Sequence, residues 1–210
     1  MKVLMLNGSP HANGNTYTAL HEMEKVFADQ KIETEIIQVG NQAVRSCVAC
    51  GSCGEKGACV FNDLVNVIAP KFERCDGLVV GSPVYYASAN ATLVAFLTRL
   101  FYSTPFDKTM KVGAAVVAAR RGGLSATFDE LNKFFTISSM PVAPSQYWNS
   151  VHGLGSRRGK PRRRGLADHA NPGPEYDVPH AEHRTGQGEI RSPGAGSDSE
   201  NELYPLVEND

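Results

Sequence analysis

Residues 3–16 place the tightest constraint on what this chain can become. A short apolar run, VLML at 3–6, leads into the polar stretch NGSPHANGNT at 7–16 and then into a helical pattern. A strand that turns through Gly, Ser, Asn and Thr into a helix leaves free backbone N–H groups aimed at one spot. The positive end of the helix dipole points there too. The hydroxyls of Ser9 and Thr16 and the amide of Asn15 add hydrogen bonds without adding charge. Two familiar phosphate loops are excluded. Asn15 stands where a Walker loop needs its lysine, and the dinucleotide pattern G-x-G-x-x-G is absent. What remains suits a single terminal phosphomonoester. An ordinary polar turn is the competing reading.

Strand and helix patterns then alternate to about residue 150. Residues 16–30 read as a helix with Leu20, Met23, Val26 and Phe27 on one face, and 32–39 as a strand. Asp63 caps a helix to about residue 74, with Val65, Ile68 and Phe72 inward. The wholly apolar run at 77–81 fits a strand buried on both faces. A helix at 90–102 presents Leu93, Phe96, Leu97 and Leu100; a buried strand covers 112–117, a helix 124–135, and 140–143 opens a last strand. This alternation predicts a parallel sheet wound on both faces, with its ligand beyond the carboxyl ends of the strands.

Three strand ends carry unusual loops: 7–16, 82–86 and 120–123. Pro83, Val84, Tyr85 and Tyr86 offer a flat apolar wall for a ring system, although each tyrosine alone fits ordinary core packing equally well. Gly122 and Gly123, behind Arg120 and Arg121, let backbone come close to a ligand.

Length and charge narrow the class further. The 210 residues suffice for one α/β domain with an appendage. A net charge of −1 gives no footing for nucleic acid or a membrane surface. The apolar run at the N-terminus is too short for a signal peptide, and no stretch reaches spanning length, so the cytoplasm is the expected compartment. In a reducing compartment, four of the five cysteines crowded into CVACGSCGEKGAC at 47–59 indicate metal or redox chemistry over disulfides.

The spacing of Cys47, Cys50, Cys53 and Cys59 is C-x2-C-x2-C-x5-C. Thiolates three apart can wrap one side of an iron–sulfur cubane, and a fourth after a glycine-containing turn can close it. A structural zinc, which usually pairs two C-x2-C units farther apart, and a thiol loop without metal are the alternatives. Cys75, ahead of a buried strand, reads as an inert core thiol.

Residues 1 to about 152 resemble the flavodoxin-like NAD(P)H-dependent FMN reductases and, within them, the iron–sulfur flavoproteins. The matching pieces are the loop at 7–16, the cysteine segment, GSPVYY at 81–86 and QYWNSVHG at 146–153. The resemblance implies an α/β fold with a doubly wound, five-stranded parallel sheet that binds FMN at these loops. Ser9, His11, Gly14, Asn15 and Thr16 would hold the phosphate. His11 stands where relatives frequently carry arginine. Pro83, Val84, Tyr85 and Tyr86 would line the flavin ring, and Arg120, Arg121, Gly122 and Gly123 would lie near its polar edge. The cysteine spacing resembles the family's four-iron motif, so Cys47, Cys50, Cys53 and Cys59 would hold a 4Fe-4S cluster. The implied activity passes electrons between NAD(P)H, or a ferredoxin-like donor, and a small-molecule or redox-protein acceptor. No side chain need act as acid or base, and a homo-oligomer is expected. A flavin-binding regulatory or interaction module without turnover is the alternative.

Residues 153–210 depart from all of this. A basic run at 156–164 gives way to Pro, Gly, His, Ser and acidic residues without apolar periodicity, which reads as a disordered tail in place of the last helix. The basic run is short and lacks interleaved aromatics, unlike a nucleic-acid site. Back-translation with a one-base shift turns the stretch at 162–190 into an amphipathic helical pattern. From about residue 154 the tail is therefore expected to be a frameshifted translation. Sequencing the coding DNA across residues 152–161 tests this, and an unambiguous in-frame read would refute it.

Overall fold

The computed structural model describes residues 1–153. The tail, its shifted reading and the final helix expected there lie outside the described residues. Five parallel strands, β1 (Lys2–Asn7), β2 (Glu33–Gln38), β3 (Gly77–Tyr85), β5 (Val112–Ala119) and β6 (Ser150–His152), run in the order β2-β1-β3-β5-β6. A two-residue strand, β4 (Ser88–Ala89), folds back antiparallel on β3. The chain moves one way from β1 to β2, then crosses to build the rest of the sheet on the other side. The order therefore reverses between β1 and β3, and that crevice is where open α/β sheets bind ligands. The doubly wound, five-stranded expectation holds.

Helices α3 (Leu64–Glu73), α4 (Ala91–Ser103) and α5 (Leu124–Thr136) cover one face. Their core joins Val65, Ile68, Phe72, Leu93, Phe96, Leu97, Leu131 and Phe135 to Leu4, Leu6, Leu78 and Val80. On the other face, α1 (Asn15–Asp29) packs Ala19 and Leu20, with Met23 and Phe27 at the margin, on Val3, Met5, Val79, Val116 and Val151. Alternation along each strand distributes these side chains: odd positions of β1 face α1 and even positions face the other layer. Local signals set the helix starts. Asp63 accepts from the Val65 N–H at 3.1 Å and Asn90 from the Thr92 N–H at 3.0 Å, as N-caps do. The expected inert thiol, Cys75, is buried just ahead of the central strand β3, and burial pushes its pKa up.

Three expectations need correction. Val26 is exposed, because it lies beside the stripe set by Leu20, Met23 and Phe27. Residues 82–85 are no loop: β3 continues through Tyr85 and turns at Tyr86 and Ala87 into β4. Residues 140–143 make only an isolated bridge, Gly113 to Val142, and the fifth parallel strand is β6. The edge of β5 is filled by Ser150, Val151 and His152 instead. Among the described residues no helix is long and apolar enough to cross a membrane.

Candidate functional site

The loop after β1 sits at the switch point and is fixed by buried amides. Asn7, fully buried, accepts from the Ser9 N–H at 3.1 Å and donates to Gln38 Oε1 at 2.6 Å. Gln38 in turn donates to the Ser9 carbonyl. Asn90 Nδ2 donates to the carbonyls of Gly8, at 2.7 Å, and Gly40, at 3.3 Å. Ser9 Oγ accepts from the His11 N–H at 3.1 Å, which turns the chain toward α1. Ser9 and Thr16 are buried, whereas His11 is exposed.

Gly14 is the N-cap of α1. No side chain caps this helix start, and its first turn carries no acidic residue. α3 and α4 are each capped by their own side chains, whereas α5, which starts at Gly123, is uncapped like α1. A helix start without a side-chain acceptor leaves its N–H groups available to an anion, and the dipole favours negative charge there. Asn15 and Thr16 open that first turn.

The second predicted loop lies against this one, and the third against the second. The Gly8 N–H donates to the Gly81 carbonyl at 2.8 Å, joining the ends of β1 and β3. β3 stays paired with β5 through Pro83, and its last residues, Val84 and Tyr85, pair with β4 in a hairpin. Pro83 and Val84 are partly buried, while Tyr85 and Tyr86 are exposed, so neither tyrosine is core packing. Tyr86 and Ala87 have φ of 51° and 60°. Two left-handed residues match the twist of a two-residue hairpin, but without glycine they cost of order 1–2 kcal/mol each. Glu130 of α5 holds the returning strand, accepting from Ser88 Oγ and, at 2.8 Å, from the Ala89 N–H.

Gly123, at φ 93°, ends the third loop. A Cβ there would lie 2.9 Å from Ala87 Cα, so this loop packs on the hairpin. Arg120, Arg121 and Gly122 are exposed beside it. The three strand-end loops thus form one continuous rim.

Sequence reasoning left two contributors without a role. Asn90 entered only as the first residue of a helix, yet it braces the first loop across a long sequence separation. Gly153, at the end of β6, packs directly on Asn15: a Cβ there would lie 2.3 Å from Nδ2. A glycine right after a short strand was the available signal. Two cavities flank the rim rather than coincide with the first loop. One, of about 220 Å³, is lined by Leu124, Phe128, Tyr147, Trp148 and His152 among others. The other, of about 370 Å³, lies between the cysteine segment and the hairpin, touching Cys47, Ser88, Ala89 and Glu130. The uncapped start of α1, rather than either cavity, carries the anion-binding argument, because a phosphate cradle is an open concavity of N–H groups.

The cysteine segment is differently made. Cys47 and Cys50 are exposed, Cys53 lies in the short helix α2 (Ser52–Lys56), and Cys59 is half-buried. All four thiols are free, but they do not converge: among the described residues no three His, Cys, Asp or Glu side chains group as a metal site. Ser52 hydrogen-bonds Cys50 and draws its pKa below the ordinary thiol value. Cys59 is fixed to the domain. Its N–H donates to Asn66 Oδ1 at 3.1 Å, and its sulfur accepts from Arg99. Burial alone would lower the Arg99 pKa, but its bonds to Asp63 and Cys59 outweigh that and raise it.

Residues 1–155 match the family model described as NADPH-dependent FMN reductase. An iron–sulfur flavoprotein of Methanocaldococcus jannaschii is 37% identical over 148 residues, 68% of this chain and 75% of that protein. An iron–sulfur flavoprotein of Methanosarcina thermophila is 32% identical over 146 residues, 68% of this chain and 76% of that one. The fold is similar to that of a flavodoxin from the Archaea, with a TM-score of 0.50 at 14% identity over 73% of this chain and 86% of that chain.

Proposed function

The chain belongs to the NADPH-dependent FMN reductase family, and from that premise we propose that it is an FMN oxidoreductase drawing electrons from NAD(P)H or a ferredoxin-like donor. They leave to a small-molecule or redox-protein acceptor, and the chain works as a homo-oligomer. The observation that carries this reading is the uncapped start of α1 at the switch point between β1 and β3. Ser9, Gly14, Asn15 and Thr16 hold the phosphate, with His11 at its open side. Pro83, Val84, Tyr85 and Tyr86 lie along the ring, and Arg120, Arg121, Gly122 and Gly123 near its polar edge. FMN, when bound, supplies the hydride and electron chemistry. The protein orients it, keeps one face against the hairpin and neutralises the phosphate with N–H groups rather than lysine.

The donor set also fits a 4Fe-4S cluster held by Cys47, Cys50, Cys53 and Cys59. Four free thiols share one segment, one of them has a depressed pKa and one accepts two charged hydrogen bonds. Relatives named iron–sulfur flavoproteins support this reading. Such a cluster would make the protein a one-electron relay.

An anaerobic absorbance spectrum of the purified protein tests both parts. Flavin bands that bleach on adding NADPH or NADH are expected, with a broad shoulder from thiolate-to-iron charge transfer. A colourless protein that takes up no FMN overturns the flavin reading. Flavin bands that no reductant of either class bleaches would leave a binding module.

A further inference from the structure

Arg99 is the largest fully buried side chain in the domain, with a relative exposure of 1%. A buried guanidinium is costly unless its charge and all its N–H groups find partners. Here two edges of the fork are used. One edge grips Asp63, with Nη1 to Oδ2 at 2.6 Å and Nη2 to Oδ1 at 2.9 Å. The other faces the Cys59 sulfur, with Nε at 3.2 Å and Nη2 at 3.1 Å. The carbonyls of Arg45 and Phe61 accept the remaining bonds, both at 3.3 Å. The Asp63 pairing alone would compensate the charge. The second edge spends two charged donors on a thiol sulfur, a weak acceptor when neutral and a good one when it carries the charge of a metal ligand.

Placement adds to this. Arg99 lies on α4, whose N-cap Asn90 braces the loop after β1. Nine residues of helix, about 13 Å of rise, separate the two contacts. Cys59 is thereby held on the same rigid element that shapes the loop, while Cys47 and Cys50 remain exposed.

We propose that Arg99, backed by Asp63, is the positioning residue of the cysteine segment: it presents Cys59 as a fixed, charge-compensated corner on which Cys47, Cys50 and Cys53 close around an iron–sulfur cluster. This rests on the cluster reading above. Two consequences follow from the guanidinium on the sulfur. It slows loss of iron, because one ligand cannot swing away. It also favours the reduced cluster, which is more negative by one electron, and so raises the midpoint potential.

The test uses the full chain, reconstituted anaerobically with ferrous iron and sulfide, as wild type, Arg99→Gln and Arg99→Lys. Iron loss to a chelator and the midpoint potential in a dye-mediated titration are read, with FMN uptake as the check on folding. Arg99→Gln is expected to bind FMN, lose iron about tenfold faster and shift the one-electron equilibrium about tenfold, which lowers the midpoint by about 59 mV. Arg99→Lys should recover part of both. Wild-type protein that takes up no iron overturns the cluster reading and this inference with it. Iron uptake with an unchanged loss rate and midpoint in Arg99→Gln overturns the inference alone. If Arg99→Gln does not fold, wild-type chain carrying guanidino-¹⁵N arginine decides the matter by pulsed electron paramagnetic resonance of the reduced cluster. Nitrogen coupling of a hydrogen-bonded guanidinium supports the assignment, and its absence overturns it.

Discussion

The loop after β1 and the cysteine segment are both glycine-rich and polar, yet they are held in opposite ways. The first is braced from three directions by the side-chain amides of Asn7, Gln38 and Asn90, and its shape exists before any ligand arrives. Between Cys47 and Gly57 the hydrogen bonds are local: Ala49 N–H to the Cys47 sulfur, Gly54 N–H to the Gly51 carbonyl and Gly57 N–H to the Cys53 carbonyl. At Cys59, where Asn66 and Arg99 take hold, the segment is hydrogen-bonded to the domain. The lesson is energetic. A site whose backbone groups are satisfied internally is preorganised and costs its ligand little ordering entropy. A segment satisfied only locally acquires its arrangement from what it binds, and its ordering is then linked to that binding.

The sharpest way to separate the two regions is Cys50→Ser. Iron uptake after reconstitution should vanish, while FMN affinity is unchanged and stability moves by no more than about 0.5 kcal/mol, because Cys50 is exposed. A loss of FMN binding in this variant would show that the regions are not independent. Gly40→Ala attacks the braced loop instead. Its Cβ would lie 2.2 Å from the Gly8 carbonyl oxygen, backbone that cannot yield without moving the loop. A cost of about 3 kcal/mol in a urea melt is expected, and about a hundredfold in FMN affinity by fluorescence quenching. Asn90→Ala is milder. It removes the α4 cap and the donor to Gly8 and Gly40, for about 2 kcal/mol and about a tenfold weaker FMN complex. An affinity equal to wild type would show that the brace is not needed for the cradle.

The smallest effect concerns the thiols without metal. Cys50 is held below the ordinary thiol pKa by the Ser52 side chain and then its backbone, so its thiolate is populated at lower pH than that of a free cysteine. Its alkylation rate, followed by mass spectrometry, should therefore rise at lower pH than that of an unperturbed thiol. Ser52→Ala should shift the profile upward by part of that difference. Cys75, pushed the other way by burial, should stay unmodified throughout in the folded protein.

Much of the fold was legible because its signals are local. Asp63 announced its helix through cap chemistry, and the apolar runs of β3 and β5 announced strands buried on both faces. The candidate phosphate loop was legible for the same reason, since a strand, a small polar loop and a helix start are consecutive in the chain. The β3–β4 hairpin was not, because Tyr86 and Ala87 carry none of the glycine that usually marks such a turn; Glu130, forty-odd residues away, stabilises it instead. The last strand was misplaced because a three-residue strand has too little pattern to compete with a better-looking apolar run.

The sequence by itself determined the alternation of strand and helix, the phosphate-type loop and the cysteine spacing, since each depends on neighbours a few residues apart. Tertiary structure alone decided which pieces meet. It set Gly153 against Asn15, Asn90 beneath Gly8, and Arg99 between Asp63 and Cys59. Those contacts join residues far apart in the chain. They are chosen by which buried polar groups can satisfy one another once the sheet has brought them together.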